Sequence, residues 1–271
     1  MKILLCVAGM PYAEAAVSFG GMIASVTQSP ITLLHVVCRK KDWATGERIL
    51  AAARERLPDL TVNTRVRLGD PTGRILAEVR AGGYDMVVVG VRRGVRLTQQ
   101  LSSSVTQKVI RCVPTSVLVA RGTSPSLKRV LICTGGAEVA EPVVEEGARL
   151  ARAAQAQTTL LHVASPIPSM YTGLDEVEET LPELLQTETL IAQHLRHAAE
   201  ILARHKVAAE LELRYGVAAD EILREAQEGD YALVVIGASG TAGRLKEWLL
   251  GNVTRRVVEH APCSVLVVKH R

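Results

Sequence analysis

Short runs of Val, Ile and Leu alternate with longer amphipathic stretches along the first 122 residues. The apolar runs predict strands near 2–8, 31–37, 61–68, 84–90 and 115–121. The amphipathic stretches predict helices near 11–27, 42–57, 71–82 and 104–112. Asp70 followed by Pro71 is a typical helix start. The Asp carboxylate can cap the N–H groups of the first turn, and proline has no N–H group that would need an acceptor. Regular strand–helix alternation predicts an α/β class with a doubly wound parallel sheet.

The same pattern occurs a second time in the chain. Four blocks of the first part match blocks further on: ILLCVAG (3–9) with VLICTGG (130–136), LLHVV (33–37) with LLHVA (160–164), YDMVVVG (84–90) with YALVVIG (231–237), and VPTSVLVAR (113–121) with APCSVLVVK (261–269). The offsets are 127, 127, 147 and 148 residues. A repeat of this length is a domain duplication and not a solenoid. We therefore expect domains at 1–122 and 127–271, joined by the Gly-Thr-Ser-Pro-Ser linker at 122–126.

The change of offset locates an insertion in the second copy. The difference 147 − 127 = 20 residues falls between its second and fourth strands, and we place it within 165–190. An acidic run from Asp175 is expected to begin a helix there, since negative charge suits a helix N-terminus. Both a partner surface and a solvated insertion remain open for this segment.

Composition excludes several classes of protein. Only 3% of the residues are aromatic against 48% hydrophobic, so the core must be aliphatic. The net charge of +4 is small and unclustered, which argues against nucleic acid or an anionic membrane as partner. No apolar stretch reaches about 18 residues, the length that a transmembrane helix needs. Five cysteines without a C-x-x-C pair are typical of reduced thiols, and we expect a cytoplasmic protein.

The end of the fourth strand of the second copy is the leading candidate site. It reads Gly237-Ala238-Ser239-Gly240, and after ten intervening residues Gly251-Asn252-Val253 opens the last helix. Glycines allow backbone N–H groups to approach a phosphate, and a helix N-terminus attracts it. The alternative interpretation is that this segment is a loop without a binding role. No Gly-Lys-Ser/Thr follows, so this is not a Walker loop.

These residues resemble the universal stress protein family, and nearly the whole chain is similar to a tandem member. Many members bind ATP or a related adenine nucleotide through G-x2-G-x9-G-(S/T) after strand four. Here the loop has one extra residue, and Asn252 stands at the Ser/Thr position. The resemblance implies two five-stranded parallel sheets of the adenine nucleotide alpha hydrolase-like type, with flavodoxin-like layering. It also implies that the last strands pair, which would make the chain an internal pseudo-dimer.

The resemblance implies a nucleotide site in the second copy, with or without magnesium. Its residues would be Gly237, Gly240 and Gly251 with Asn252 and Val253, together with Gly135 at the end of the first strand of that copy. The family commonly has an Asp at the end of strand one that helps to hold the nucleotide. Ala8 and Gly135 occupy that position in the two copies, so neither keeps the carboxylate.

The first copy departs further from the family pattern. Its glycines Gly90 and Gly94 are separated by three residues, and Ser103 replaces the third glycine. The arginines Arg92, Arg93 and Arg96 would either bind a phosphate electrostatically or form a solvated basic loop. We expect a degenerate site here. The alternative function is a protein–protein interaction module or scaffold in which both sites are vacant.

Catalytic candidates are weak. There is no G-x-S-x-G elbow, and Glu138 stands where the loop of ATP pyrophosphatases has Asp, so at most slow ATP hydrolysis is expected. His35 and His162 occupy equivalent positions and are expected to be structural, hydrogen-bonded residues. His194 and His197, three apart on a helix, lack a third metal ligand and are expected to face solvent. The nucleotide, the stress signal, a protein partner and homodimer formation remain open.

Overall fold

The computed structural model describes residues 1–10, 13–91, 105–122, 126–135, 137–164, 181–238 and 250–269, with 137–140 in backbone only. The strands of the first half are β1 (Ile3–Cys6), β2 (Ile31–Val37), β3 (Val62–Leu68), β4 (Met86–Gly90) and β5 (Ser116–Ala120). Those of the second half are β6 (Arg129–Thr134), β7 (Gln157–Ala164), β8 (Ala209–Tyr215), β9 (Leu233–Gly237) and β10 (Ser264–Val268).

The helices connect successive strands. They are α1 (Glu14–Val26), α2 (Trp43–Glu55), α3 (Pro71–Gly82), α4 (Val105–Cys112), α5 (Ala137–Ala154), α6 (Leu181–Gln186), α7 (Leu190–Arg204), α8 (Ala218–Glu228) and α9 (Asn252–His260). Each element predicted for the first half is present, with ends within about three residues of the prediction, the usual scatter of such boundaries. Asp70 caps α3 as expected, with its carboxylate 2.8 Å from the amide nitrogen of Gly73. The helix predicted from Asp175 lies outside the described residues.

All ten strands form one sheet in the order β3-β2-β1-β4-β5-β10-β9-β6-β7-β8. Within each half the strands are parallel, and the halves meet where β5 and β10 pair in antiparallel fashion, Leu118 opposite Leu266. This confirms the predicted doubly wound α/β class with two five-stranded parallel sheets and an internal pseudo-dimer. Because the central pair is antiparallel, the carboxyl ends of the two halves lie at opposite edges of the sheet.

The core is aliphatic and continuous across the junction. One layer contains Leu118 and Leu266, and the other contains Val119 and Val265. Successive residues of a strand point to opposite faces, so each half contributes to both layers. All four of these side chains are fully buried, which makes the junction part of the hydrophobic core.

Two reciprocal contacts join the ends of the central strands. The Ser264 hydroxyl accepts a hydrogen bond from the Arg121 amide at 3.1 Å, and the Ser116 hydroxyl accepts one from the Lys269 amide at 3.3 Å. The Lys269 ammonium also donates to the carbonyl oxygen of Val113, just after α4, at 2.6 Å. A cation at a helix C-terminus interacts favourably with the helix dipole.

Among the helices of the described ranges, none combines the length and the apolar character needed to cross a membrane.

Candidate functional site

The chain order of the strands reverses between β6 and β9 in the second half. These two strands pair in parallel as far as Ile132 and Val235, and the helices that follow them, α5 and α9, pack into different layers of the core. In open α/β sheets, ligands bind in the crevice outside the carboxyl ends at this switch point. Two of the predicted residues, Gly135 and Gly237, stand at these strand ends, so the topology brings them to the same crevice.

Gly135 follows β6 and borders open space. A Cβ atom built on it would have no heavy atom of the described residues within 4 Å, and the residue is exposed. Gly135 also lacks the left-handed backbone conformation of Gly9, whose φ is 122°. Among the described residues, no packing contact requires a glycine here, and the missing side chain leaves room at the mouth of the crevice.

Helix α9 begins at the same edge with backbone donors that have no acceptor within the helix. Gly251 is its N-cap and has no side chain to accept a hydrogen bond. The first bond within the helix runs from the Arg255 amide to the Gly251 carbonyl at 2.9 Å. The N–H groups of Asn252, Val253 and Thr254 therefore have no acceptor within the helix. These donors and the positive end of the helix dipole form an environment that suits an anion.

A buried hydrogen bond fixes this helix start to the end of β9. The Thr254 hydroxyl donates to the carbonyl oxygen of Gly237 at 2.7 Å, and Thr254 is fully buried. Thr254 was not among the predicted site residues. Its place in the first turn of the last helix was the only signal in the sequence for its bond to Gly237. The bond brings the predicted Gly237 and the Gly251–Val253 segment together. Gly240 lies outside the described residues.

The second strand of each half places a histidine beside the crevice. The His35 Nδ1 atom lies 2.6 Å from the carbonyl oxygen of Val7, and the His162 Nδ1 atom lies 3.2 Å from the Thr134 hydroxyl. Both rings are buried, so the predicted structural role is confirmed. Thr134, which precedes Gly135, is a polar group of the crevice that sequence analysis missed.

The expectation that His194 faces solvent is wrong. Its ring is buried on α7, with its centroid 6.0 Å from that of His162, whereas His197 is exposed. Burial lowers the pKa of both His162 and His194, and the neighbouring His162 lowers that of His194 further. Both rings are therefore neutral at neutral pH. Within the described ranges, the His194 Nε2 atom has no hydrogen-bond partner.

The first half has an equivalent crevice at the opposite edge of the sheet. Gly90 ends β4, and α4 begins at Val105. The intervening residues Arg92, Arg93, Gly94, Arg96 and Ser103 lie outside the described residues. Glu138 lies in α5, where only the backbone is described.

Comparison with known proteins identifies the family. The family model described as "Universal stress protein family" matches residues 39–121 and 126–269. The universal stress protein YxiE of Bacillus subtilis is 32% identical over 146 residues, which cover 52% of this chain and 98% of YxiE. A universal stress protein of Mycolicibacterium smegmatis is 26% identical over 298 residues and covers 99% of this chain and 97% of its own length.

Solved structures agree with the fold. The crystal structure of a universal stress protein from Archaeoglobus fulgidus superposes with a TM-score of 0.76 at 16% identity, covering 99% of this chain and 98% of its own. That similarity extends over both halves, as does the match to the family model. The chain therefore belongs to the universal stress protein family, and the fold of that family occurs twice in it, one copy after the other.

Proposed function

We propose that the second half of this chain binds an adenine nucleotide at the crevice between β6 and β9. The observation that carries the proposal is the buried Thr254–Gly237 bond, which holds the first N–H groups of α9 beside the strand ends. Phosphate groups are ligands for such donors. The open space at Gly135 supports the proposal, because it leaves room for the rest of the nucleotide.

The nucleotide would be held by backbone groups more than by charge. Gly240 and Gly251 would let N–H groups approach the phosphates, with Asn252 and Val253 donating from the first turn of α9. Gly135 occupies the position at which the family commonly has an Asp that helps to hold the nucleotide, so no carboxylate is present there. Selectivity among ATP, ADP and AMP would therefore depend on phosphate contacts, with or without magnesium. The proposed setting is stress response or regulation in the cytoplasm.

The second candidate is a protein–protein interaction module without bound nucleotide. The residues Ala8 and Gly135, which replace the family carboxylate in both halves, favour it. In that case the crevice would no longer bind a nucleotide. The domains at 1–122 and 127–271 would serve as a scaffold, as a single chain or as a homodimer.

One titration separates the two candidates. Purified protein stripped of nucleotide is titrated with ATP, ADP and AMP by isothermal calorimetry, with and without Mg²⁺. Saturable heat with at least one nucleotide supports the proposed nucleotide binding. Absence of binding at millimolar concentrations of all three would exclude it and leave the interaction module.

A further inference from the structure

A cavity of about 760 Å³ lies at the starts of the strands of the second half. Arg129 is the first residue of β6, Ser264 is the first of β10, and Ala232 directly precedes β9, and all three line the cavity. Gly237 and the N-terminus of α9 are at the other ends of these strands. The volume is within the range of about 300–1,000 Å³ that is typical of sites for small organic molecules.

One wall of the cavity is apolar and comes from the first half. It consists of Phe19, Met22 and Val26 of α1. Residues spaced by three and four positions lie on the same side of a helix, so these three side chains form one stripe. Phe19 is buried, whereas Met22 and Val26 are half-buried.

The facing wall is cationic. Of the lining residues that the structure describes, Arg121, Lys128 and Arg129 are basic and Asp230 is acidic. The Arg129 guanidinium is held over the ring of Tyr231, 4.7 Å from the centroid. The excess of positive charge beside an apolar stripe favours a ligand that carries both an anionic group and a hydrophobic body.

Arg121 has unused hydrogen-bonding capacity at this wall. One terminal nitrogen of its guanidinium donates to the carbonyl oxygen of Val258. Its Nε atom is buried and has no hydrogen-bond partner within the described part of the chain. A buried donor without an acceptor is unfavourable, and a small shift of the Arg121 side chain would let the donor reach an anionic oxygen in the cavity.

The equivalent positions of the other half show that the fold does not require the apolar stripe. With the offset of 127 residues, Phe19 corresponds to Glu146 and Met22 to Arg149. Glu146 and Arg149 form an ion pair of 2.5 Å, and Arg149 also contacts the sulfur atom of Met1 at 2.9 Å. The equivalent region of the other half is thus occupied by paired charges. Among the described residues, the apolar stripe and the unpaired Arg121 donor occur together only at the cavity.

We propose that this cavity binds a small amphipathic organic anion, with its apolar body against Phe19, Met22 and Val26 and its anionic group beside Arg121 and Arg129. The site is separate from the proposed nucleotide crevice and lies at the opposite ends of the same strands. Its occupant would contact both halves of the chain, because the stripe belongs to α1 and the cationic residues to the central strands and the second half.

The test uses the full chain and the fluorescent anion anilinonaphthalene sulfonate. We expect saturable binding with one class of site, displacement by decanoate, and little displacement by decanol at equal concentration. ATP should not displace the probe. No saturable signal, equal displacement by decanol, or displacement by ATP but not by decanoate would each overturn the proposal.

Variants locate the probe. Arg129→Gln should weaken its binding about tenfold, the usual size of a lost charge-assisted contact. Met22→Glu should abolish binding by bringing a carboxylate into the stripe, and it leaves the Arg121–Val258 contact intact. Lys2→Gln, at the equivalent position of the first half, is the matched control and should leave the affinity unchanged. Unchanged affinity in both Arg129→Gln and Met22→Glu, with folding verified by circular dichroism, would show that the probe binds elsewhere.

Discussion

The Thr254 hydroxyl donates a hydrogen bond of 2.7 Å to the carbonyl oxygen of Gly237. It joins the first turn of α9 to the last residue of β9, and it lies where Thr254 has no exposed surface. Because the bond is shielded from water, it sets the position of the first N–H groups of α9 relative to the strand ends. The proposed phosphate site depends on this positioning.

Replacing Thr254 with valine should destabilise the protein. The change keeps the shape but leaves the Gly237 carbonyl without the hydroxyl donor, at a cost of about 1–3 kcal/mol. Thr106→Val is the matched control, because Thr106 is the equivalent residue of the first half and is only half-buried; its effect should stay within about 0.5 kcal/mol. Urea denaturation measures the free energy of unfolding of both variants. Equal effects would contradict the special role of the Thr254–Gly237 bond.

Replacing Gly135 with valine should reduce nucleotide affinity and leave stability nearly unchanged. A Cβ atom there meets none of the described residues within 4 Å, so the fold should tolerate a side chain. The same side chain would occupy the mouth of the crevice, and we expect a loss of affinity of at least about tenfold, or ~1.4 kcal/mol. Ala8→Val is the control at the equivalent position of the first half. Undiminished ATP affinity in Gly135→Val would exclude this residue from the site.

The ammonium group of Lys269 should make stability depend on pH. Burial lowers its pKa from 10.5 to about 8, with the neighbouring Cys112 acting in the opposite direction. Between these two pH values the unfolded chain binds more protons at this position than the folded chain. The contribution of Lys269 to the free energy of unfolding should therefore rise as the pH increases from about 8 to 10.5, by up to roughly 3 kcal/mol.

Lys269→Met removes this dependence and isolates it from other groups. Burial raises the pKa of Cys6 and Cys263 to about 12, and these thiols oppose the trend because the unfolded chain loses their protons first. The difference in stability between the parent protein and Lys269→Met, measured at several pH values, cancels their effect. A difference that does not vary with pH would contradict a buried, shifted ammonium group.

The five cysteines should react with a thiol reagent in two classes. Cys38 and Cys112 are exposed, whereas Cys133 is buried. Burial also raises the pKa of Cys133, Cys6 and Cys263, which lowers their thiolate fraction. At pH 8 we expect fast labelling of Cys38 and Cys112 and slow labelling of the other three, followed by mass spectrometry. Fast labelling of Cys133 in the folded protein would contradict the described packing of β6.

Much of the fold could be predicted because local patterns determine it. The aliphatic runs around Leu4 and Leu131 are strands buried on both faces, and such runs are characteristic of covered parallel sheets. The matched ends SVLVAR and SVLVVK indicated, through the family resemblance, that β5 and β10 pair. Repetition made each element visible twice, which strengthened the prediction.

The contacts of the site were harder to predict because they join residues far apart in the chain. The position of His194 depends on how α7 packs beside β7, and its spacing from His197 contains no information on that packing. The Thr254–Gly237 bond spans 17 residues, and the cavity beside Arg121 is lined by residues from five separate segments of the chain. Sequence patterns locate elements, whereas these features depend on tertiary geometry.

The stoichiometry of ATP binding, measured by calorimetry, shows whether the second half holds a nucleotide. Protein stripped of nucleotide is titrated with ATP, alongside Gly240→Val and its first-half counterpart Gly94→Val. We expect one nucleotide per chain, loss of binding in Gly240→Val, and unchanged binding in Gly94→Val. Absence of ATP binding in the parent protein, or an equal loss in both variants, would contradict a nucleotide site in the second half.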